Sequence, residues 1–210
     1  MPKQTFFNLP VDKRERIIGC AISEFAGHGY KQASISRMVE AAGIAKGSFY
    51  QYFEDKDDLY TYIIQTQIVQ RKIDAYQREA NHLEQMSLIE FLRFVFRSQV
   101  REFELSPELV KISFDLHRLA GEPIHTKIMK THESIMHTFF LPTIRHKINQ
   151  GELDGRVNPV LLNYMLLGLG EYLMHMIRTG EISTPDQTQI DSIVDDLDLI
   201  LTSGIYAGES

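Results

Sequence analysis

Lys46, Gly47, Ser48, Tyr50, Gln51 and Tyr52 stand together in one short stretch and combine polar tips with small or aromatic bodies. Ammonium, amide and hydroxyl groups are the ones that read base edges and grip phosphates. A short helix that shows them on one side suits a DNA major groove. The other side of the same stretch must hold it in place. Ile44, Phe49 and Phe53 supply that apolar side, and Ile35, Met38, Val39 and Ala42 form a matching one just upstream. Gly43 falls between the two, where a helix has to stop, and glycine accepts the left-handed conformation that ends one. Residues 34–53, SISRMVEAAGIAKGSFYQYF, therefore read as two short helices joined by a tight turn.

The neighbouring segments must support that pair. From Val11 to about His28, Ile17, Ile18, Ala21, Ile22, Phe25 and Ala26 recur at helical spacing, with Asp12 as a cap and Gly27 and Gly29 as stops. Ser34 is a suitable N-cap for the next helix. The first ten residues, with Lys3 as their only basic group, read as a mobile arm. The expected core of this bundle is Ile18, Ile22, Phe25, Ile35, Val39, Ile44, Phe49 and Phe53. Downstream, Asp55 and Asp58 resemble a capping box opening a long helix from Lys56 to near Asn81.

Every later segment is helical in period, so the fold class is all-α. Ser106-Pro107 and Asn158-Pro159 are restart signals, with a cap followed by a first-turn proline. Pro142 either kinks the helix of residues 124–150 or separates two abutting helices. The last helix spans roughly Asp186 to Tyr206.

The 210 residues carry a net charge of −6, unevenly spread. Residues 1–53 hold seven Lys+Arg against four Asp+Glu, a net +3, while the remainder is −9. A basic module on an acidic body is compatible with DNA binding at one end and regulation at the other. A single cysteine, Cys20, excludes an internal disulfide and fits a reducing cytoplasm. The start of the chain lacks a signal peptide's apolar core, and the most apolar stretch, Leu161 to Ile177, is interrupted by Asn163, Glu171 and His175. No membrane span is therefore expected. Phosphate loops after a strand, nucleophile elbows and supported triads are all missing, which argues against an enzyme. Eight histidines raise the possibility of metal sensing, through His125 and His132 or Glu171 and His175, but clustered ligand spacing is lacking. Neither a metal nor a cofactor is expected.

Tyr30, Ser34-Ile35, Ala41-Ala42-Gly43-Ile44, Lys46-Gly47-Ser48-Phe49-Tyr50, Tyr52-Phe53 and Lys56-Asp57-Asp58-Leu59 resemble, taken together, the N-terminal signature of the TetR family of transcriptional regulators. The resemblance covers residues 11–60. It implies a three-helix DNA-binding domain with a helix-turn-helix, here residues 1–55. A ligand-binding and dimerisation body of about six helices follows, here residues 56–210. It further implies a homodimer on a double-stranded DNA operator, released by a small-molecule effector, in the cytoplasm. Ala33 and Ala45 depart from the commonest pattern, which has hydroxyls at both positions.

With the third helix in the groove, Lys46 reaches guanine or a phosphate and Gln51 pairs with adenine. Gly47 allows close approach, Ser48 is a short donor, and Tyr50 meets a thymine methyl or a phosphate. Tyr52 and Lys56 hold phosphates, and Ser34, Ser36 and Arg37 sit where free N–H groups favour an anion. An effector pocket among the middle helices draws on Phe91, Phe114, His117, Met129, Phe140, Tyr164 and Tyr172, and its ligand is small and largely apolar. The helix of residues 161–177 is apolar nearly all round. It pairs with the last helix as the candidate two-fold interface, through Leu161, Met165, Gly168, Tyr172, Ile193, Leu197 and Ile200. The rival readings are a ligand carrier without DNA binding and a metal-responsive regulator.

Overall fold

Helix boundaries in the computed structural model, which describes residues 1–78, 85–179, 181 and 186–203, follow local capping chemistry. The helices are α1 (Gln4–Phe7), α2 (Val11–Gln32), α3 (Ile35–Ala41), α4 (Lys46–Tyr52) and α5 (Lys56–Ile63). A π-helical turn, Ile64–Val69, leads into α6 (Gln70–Arg78). Beyond these come α7 (Leu88–Leu105), α8 (Pro107–Arg118), α9 (Pro123–Asn149), α10 (Pro159–Thr179) and α11 (Gln187–Ser203). The fold is all-α, with no strand among the described residues.

Several expected stops and starts are in place. Gly43 has φ +64° and ends the α3 segment. Asp55 accepts the Asp58 N–H at 2.8 Å and caps α5. Asn158 accepts the N–H groups of Val160 and Leu161 at 3.0 and 3.1 Å and caps α10. Asp186 and Gln189 bond reciprocally at the start of α11.

Other expectations are corrected. α2 starts after Pro10, and Asp12 lies in its first turn rather than capping it. Gly27 continues α2, whereas Gly29, at φ +71°, breaks it before a last helical turn. Ser34 stands at the N-cap position of α3 without a side-chain capping bond. The helix from Lys56 is not uniform: it widens into the π turn, where the Thr66 hydroxyl donates to the Tyr62 carbonyl at 2.8 Å. Its expected end near Asn81 and that of the last helix near Tyr206 lie outside the described residues. α9 passes through Pro142 as one helix.

Two compact units result. The first comprises Met1–Gln77 and Ser106–Ile135. In it α2 lies along α8, and one apolar core runs through Phe6, Ile17, Phe25, Val39, Phe49, Phe53, Leu59, Tyr60, Ile63 and Ile112. Ile22, Ile35 and Ile44, expected in the core, pack against it while partly exposed. The second unit comprises Arg78–Leu105 and Met136–Ser210. Its core joins Leu88, Leu92 and Phe96 of α7 to Ile144, Leu162, Leu166, Ile190 and Val194. Arg93 donates to Asp195 at 2.7 Å and Arg97 to Asp191 at 2.5 Å, fastening α7 to α11.

Candidate nucleic-acid interface

α3 and α4 form a helix-turn-helix closed by backbone bonds from Gly43 N–H to Glu40 and from Ile44 N–H to Val39. Phe49 and Phe53 are buried, and together with Tyr52 they fix the inner side of α4. Lys46, Gly47, Tyr50 and Gln51 are exposed on its outer side, with Ser48 half-buried between the two. The side chains of Lys46 and Gln51 have no hydrogen bond or ion pair among the described residues, so both are available to a ligand. Tyr50 stands edge-on to Phe49, with ring centroids 5.2 Å apart, which sets its direction. Ser36 is exposed and Ser34 half-buried at the start of α3.

Three of the expected DNA contacts are already committed within the protein. Tyr52 is buried, 7% exposed, with its ring 6.2 Å from that of Phe6. It is a packing residue rather than a presented hydroxyl. Arg37 is exposed, but its guanidinium bonds the Glu24 carboxylate at 2.5 and 2.9 Å and the Gln32 carbonyl at 2.9 Å. Lys56 donates to the carbonyls of Tyr30, Lys31 and Ala33 at 2.7, 3.3 and 3.3 Å, and its ammonium lies 4.7 Å from the centre of the Tyr30 ring. An ammonium has three N–H groups, and all three are engaged. Lys56 therefore closes the carbonyl end of α2 instead of waiting for a phosphate. Burial, and next the hydrogen bond to Asp57, push the Tyr30 phenol well above its ordinary range, so the ring under Lys56 stays neutral.

Replacing Lys56 by Met keeps the stem and strands those carbonyls. We expect a loss of about 1–2 kcal/mol in chemical denaturation. The salt dependence of DNA binding should not change, as it would if a phosphate contact had gone.

Glu24 serves the start of α3 in place of a local cap. Its buried carboxylate accepts the Ser34 N–H at 2.8 Å while holding Arg37. It thus caps α3 from another helix. The Arg37 hydrogen bond, aided by that of Ser34 and opposed by burial, keeps its carboxyl below the ordinary glutamate range. A carboxylate with a depressed folded-state pKa contributes stability that is present above the unfolded value of about 4.3 and lost as pH falls through the folded one. Glu24→Gln should therefore be less stable than the parent at neutral pH, with the gap closing below about pH 4. Urea titrations at several pH values would check this; a constant gap would mean the charge is not what matters.

The arm is the feature that sequence reasoning missed. Phe6 is fully buried, with its ring 4.9 Å from Phe53 and 5.7 Å from Tyr62. The backbone N–H of Lys3 donates to the Tyr52 carbonyl at 2.8 Å, its Nζ donates to the Tyr50 carbonyl at 2.8 Å, and the Thr5 hydroxyl donates to Gln51. Three successive carbonyls at the C-terminal end of α4 are closed this way, where a helix otherwise leaves them open. The FF pair at residues 6–7 was the available signal.

The expected effector residues are divided between the two units. Phe91 and Phe140 are buried in the second unit, 5.1 Å apart and edge-to-face. Phe114, His117 and Met129 are partly buried in the first. Tyr164 and Tyr172 are 55% and 60% exposed on α10. On the same helix Leu161, Met165 and Leu169 are also exposed, as is Gly168, whose missing Cβ would meet nothing within 4 Å. Ile200 is exposed on α11, while Ile193 and Leu197 are half-buried.

A helix-turn-helix that buries one side of its second helix and offers Lys46, Tyr50 and Gln51 on the other belongs to a DNA-binding regulator. The family model described as "Bacterial regulatory proteins, tetR family" matches residues 17–63. Similarity to known repressors extends over nearly the whole chain. It is 24% identical to the HTH-type transcriptional repressor AcnR of Corynebacterium glutamicum, over 89% of this chain and 92% of that one. Identity to the AcnR of Corynebacterium efficiens is 26%, over 92% and 93%. A crystal structure of a TetR family transcriptional regulator from Chloroflexus aurantiacus matches with TM-score 0.65 and 29% identity, over 97% of this chain and 98% of that one. FadR of Bacillus subtilis in complex with stearoyl-CoA shares the fold, with TM-score 0.71 and 19% identity over 91% and 99%. Residues 17–63 carry the TetR family's DNA-binding module, and the chain is similar to TetR family transcriptional regulators over nearly its whole length.

Proposed function

We propose that the protein is a homodimeric repressor, released from a pseudo-palindromic operator by a small, largely apolar ligand. The observation that carries the DNA half of this reading is the outer side of α4, where Lys46, Tyr50 and Gln51 stand exposed above a buried aromatic base. In the groove Gln51 pairs with adenine and Lys46 with guanine or a phosphate, Gly47 allows close approach, and Ser48 and Tyr50 complete the contact. Ser34 and Ser36 bond phosphates at the start of α3. With Arg37, Tyr52 and Lys56 occupied internally, few phosphate contacts remain, and recognition rests on shape and those few side chains.

One reading helix is too little for a specific site, and the exposed apolar side of α10 and α11 supports a second copy. α10 is long and apolar enough in composition to cross a bilayer. Yet it buries Asn163, Leu162 and Leu166 against its own unit and leaves the opposite strip bare, as a protein partner requires. The protein acts where the DNA is, in the cytoplasm. Effector chemistry draws support from FadR, whose named ligand carries a long acyl chain.

Selection from random-sequence duplex DNA tests the reading. We expect an enriched pseudo-palindrome with half-sites about one helical turn apart or a multiple of it. Failure to enrich any sequence would overturn it and leave a ligand carrier.

A further inference from the structure

A cleft of about 520 Å³ opens in the first unit between the end of α2 and one face of α8. Its size is that of a small-molecule site. Phe25 and Leu119 form a buried apolar floor, and Phe114 forms a half-buried wall. The rim is basic: Lys31, Lys111 and Arg118 line it, against the single carboxylate of Asp115. Lys111, Phe114, Asp115 and Arg118 recur at helical spacing, so α8 turns one continuous face to the cleft.

The charges are not already spent. Lys111 and Arg118 have no ion pair or hydrogen bond among the described residues. Lys31 holds Glu122 at 2.7 Å, but both are well exposed, a pairing that costs little to exchange. Asp115 is the committed group: its Oδ2 accepts the Tyr30 N–H at 2.6 Å. Gly29 makes that approach possible, since a Cβ there would lie 3.0 Å from Asp115 Oδ1. The carbonyl end of α2, which would repel an anion, is closed by Lys56. In a chain of net charge −6, a basic rim over an aromatic floor is a specific feature.

We infer that this cleft binds a small organic anion, a carboxylate, sulfonate or phosphate attached to a flat apolar body, with Lys111 and Arg118 holding the acid and Phe114 the body. The occupied cleft ties the last turn of α2 to α8. That turn also carries Tyr30, and Ala33 follows it directly into Ser34 and α3. Binding stands without the DNA-binding reading; the effect of binding on α3 and α4 rests on it.

The probe is 8-anilinonaphthalene-1-sulfonate, with uncharged N-phenyl-1-naphthylamine as its partner, titrated into the full chain and into the double variant Lys111→Gln, Arg118→Gln. Both positions are exposed, so the variant keeps its fold, checked by circular dichroism. We expect the sulfonate to bind the variant about tenfold more weakly or worse, with the neutral probe unchanged between the two proteins. Equal affinity of the sulfonate for both would overturn the site, because binding would then be to apolar surface alone. On the operator found by selection, saturating sulfonate should alter the affinity of the parent and not of the variant. An operator affinity that ignores the probe while the titration shows the site would overturn the coupling. A failed selection would overturn the DNA-binding reading and leave the titration standing.

Discussion

Phe6→Ala is expected to lower stability by about 3–5 kcal/mol, the usual range for emptying a buried aromatic site, and to cost operator affinity even where the protein remains folded. The side chain is fully buried and meets the rings of Phe7, Tyr52, Phe53 and Tyr62. Total stabilities of about 5–15 kcal/mol make this a large fraction of what holds the first unit together. The second effect follows from what Phe6 anchors. With the ring gone, Lys3 and Thr5 lose the fixed backbone from which they reach the carbonyls of Tyr50, Gln51 and Tyr52. The C-terminal turn of α4 then frays, and that turn carries Tyr50 and Gln51. Phe6→Leu separates the two effects. It keeps most of the volume and the anchor, so it should lose about a third to a half as much stability with little change in operator binding. Thermal unfolding and operator titration at a temperature well below both midpoints would measure them. Equal affinity of Phe6→Ala and the parent would mean that the arm only packs.

This arm shows where sequence reasoning stops. The signals that act within a turn were legible: Gly43 for the break, Asp55, Asn158 and Asp186 for the starts, and the apolar period of α2, α3 and α4. Each depends on residues a few positions apart. Partners distant in sequence were not legible. Arg37 is held by Glu24, 13 residues away, and Lys56 by a carbonyl 26 residues away. Periodicity says that a side chain faces outward but not that its charge is already satisfied. Ten residues with one aromatic pair have no period at all, so the arm reads as mobile until the pocket around Phe6 is seen. The π turn at Ile64–Val69 has no glycine or proline to announce it. Such turns are rare and occur mostly as single-turn insertions within α-helices.

The same distinction separates the two candidate surfaces. The α4 surface was legible in nearly every residue that remains exposed, since the turn and the buried stripe together dictate which side faces out. The expected effector residues are mostly aromatic positions on the helices of the body, a pattern shared by core, pocket and interface alike. Tyr164 and Tyr172 satisfied it and are exposed, whereas Phe91 and Phe140 satisfied it and fill one another's space.

Leu161→Glu combined with Tyr172→Asp is expected to convert the proposed homodimer into a monomer whose fold is intact. In the single chain both side chains are 60% exposed, so replacing them removes little internal packing. Surface changes of this kind usually stay within about 0.5 kcal/mol. Across a two-fold axis the consequence is larger. An isologous interface uses the same patch twice, so each new carboxylate appears twice and faces like charge as well as apolar surface. The exposed strip of Leu161, Tyr164, Met165, Leu169 and Tyr172, with Leu199, Ile200 and Leu201, is an apolar patch of the kind that marks a partner site. Separating the copies unlinks the two reading helices. Linkage makes the second half-site contact intramolecular and is worth about a hundredfold or more in affinity, so operator binding should fall by at least that factor while urea unfolding of the monomer hardly moves. Sedimentation equilibrium beside the operator titration reads both. A variant that stays dimeric would move the interface away from α10. One that becomes monomeric yet binds the full operator as tightly as the parent would remove the need for two copies.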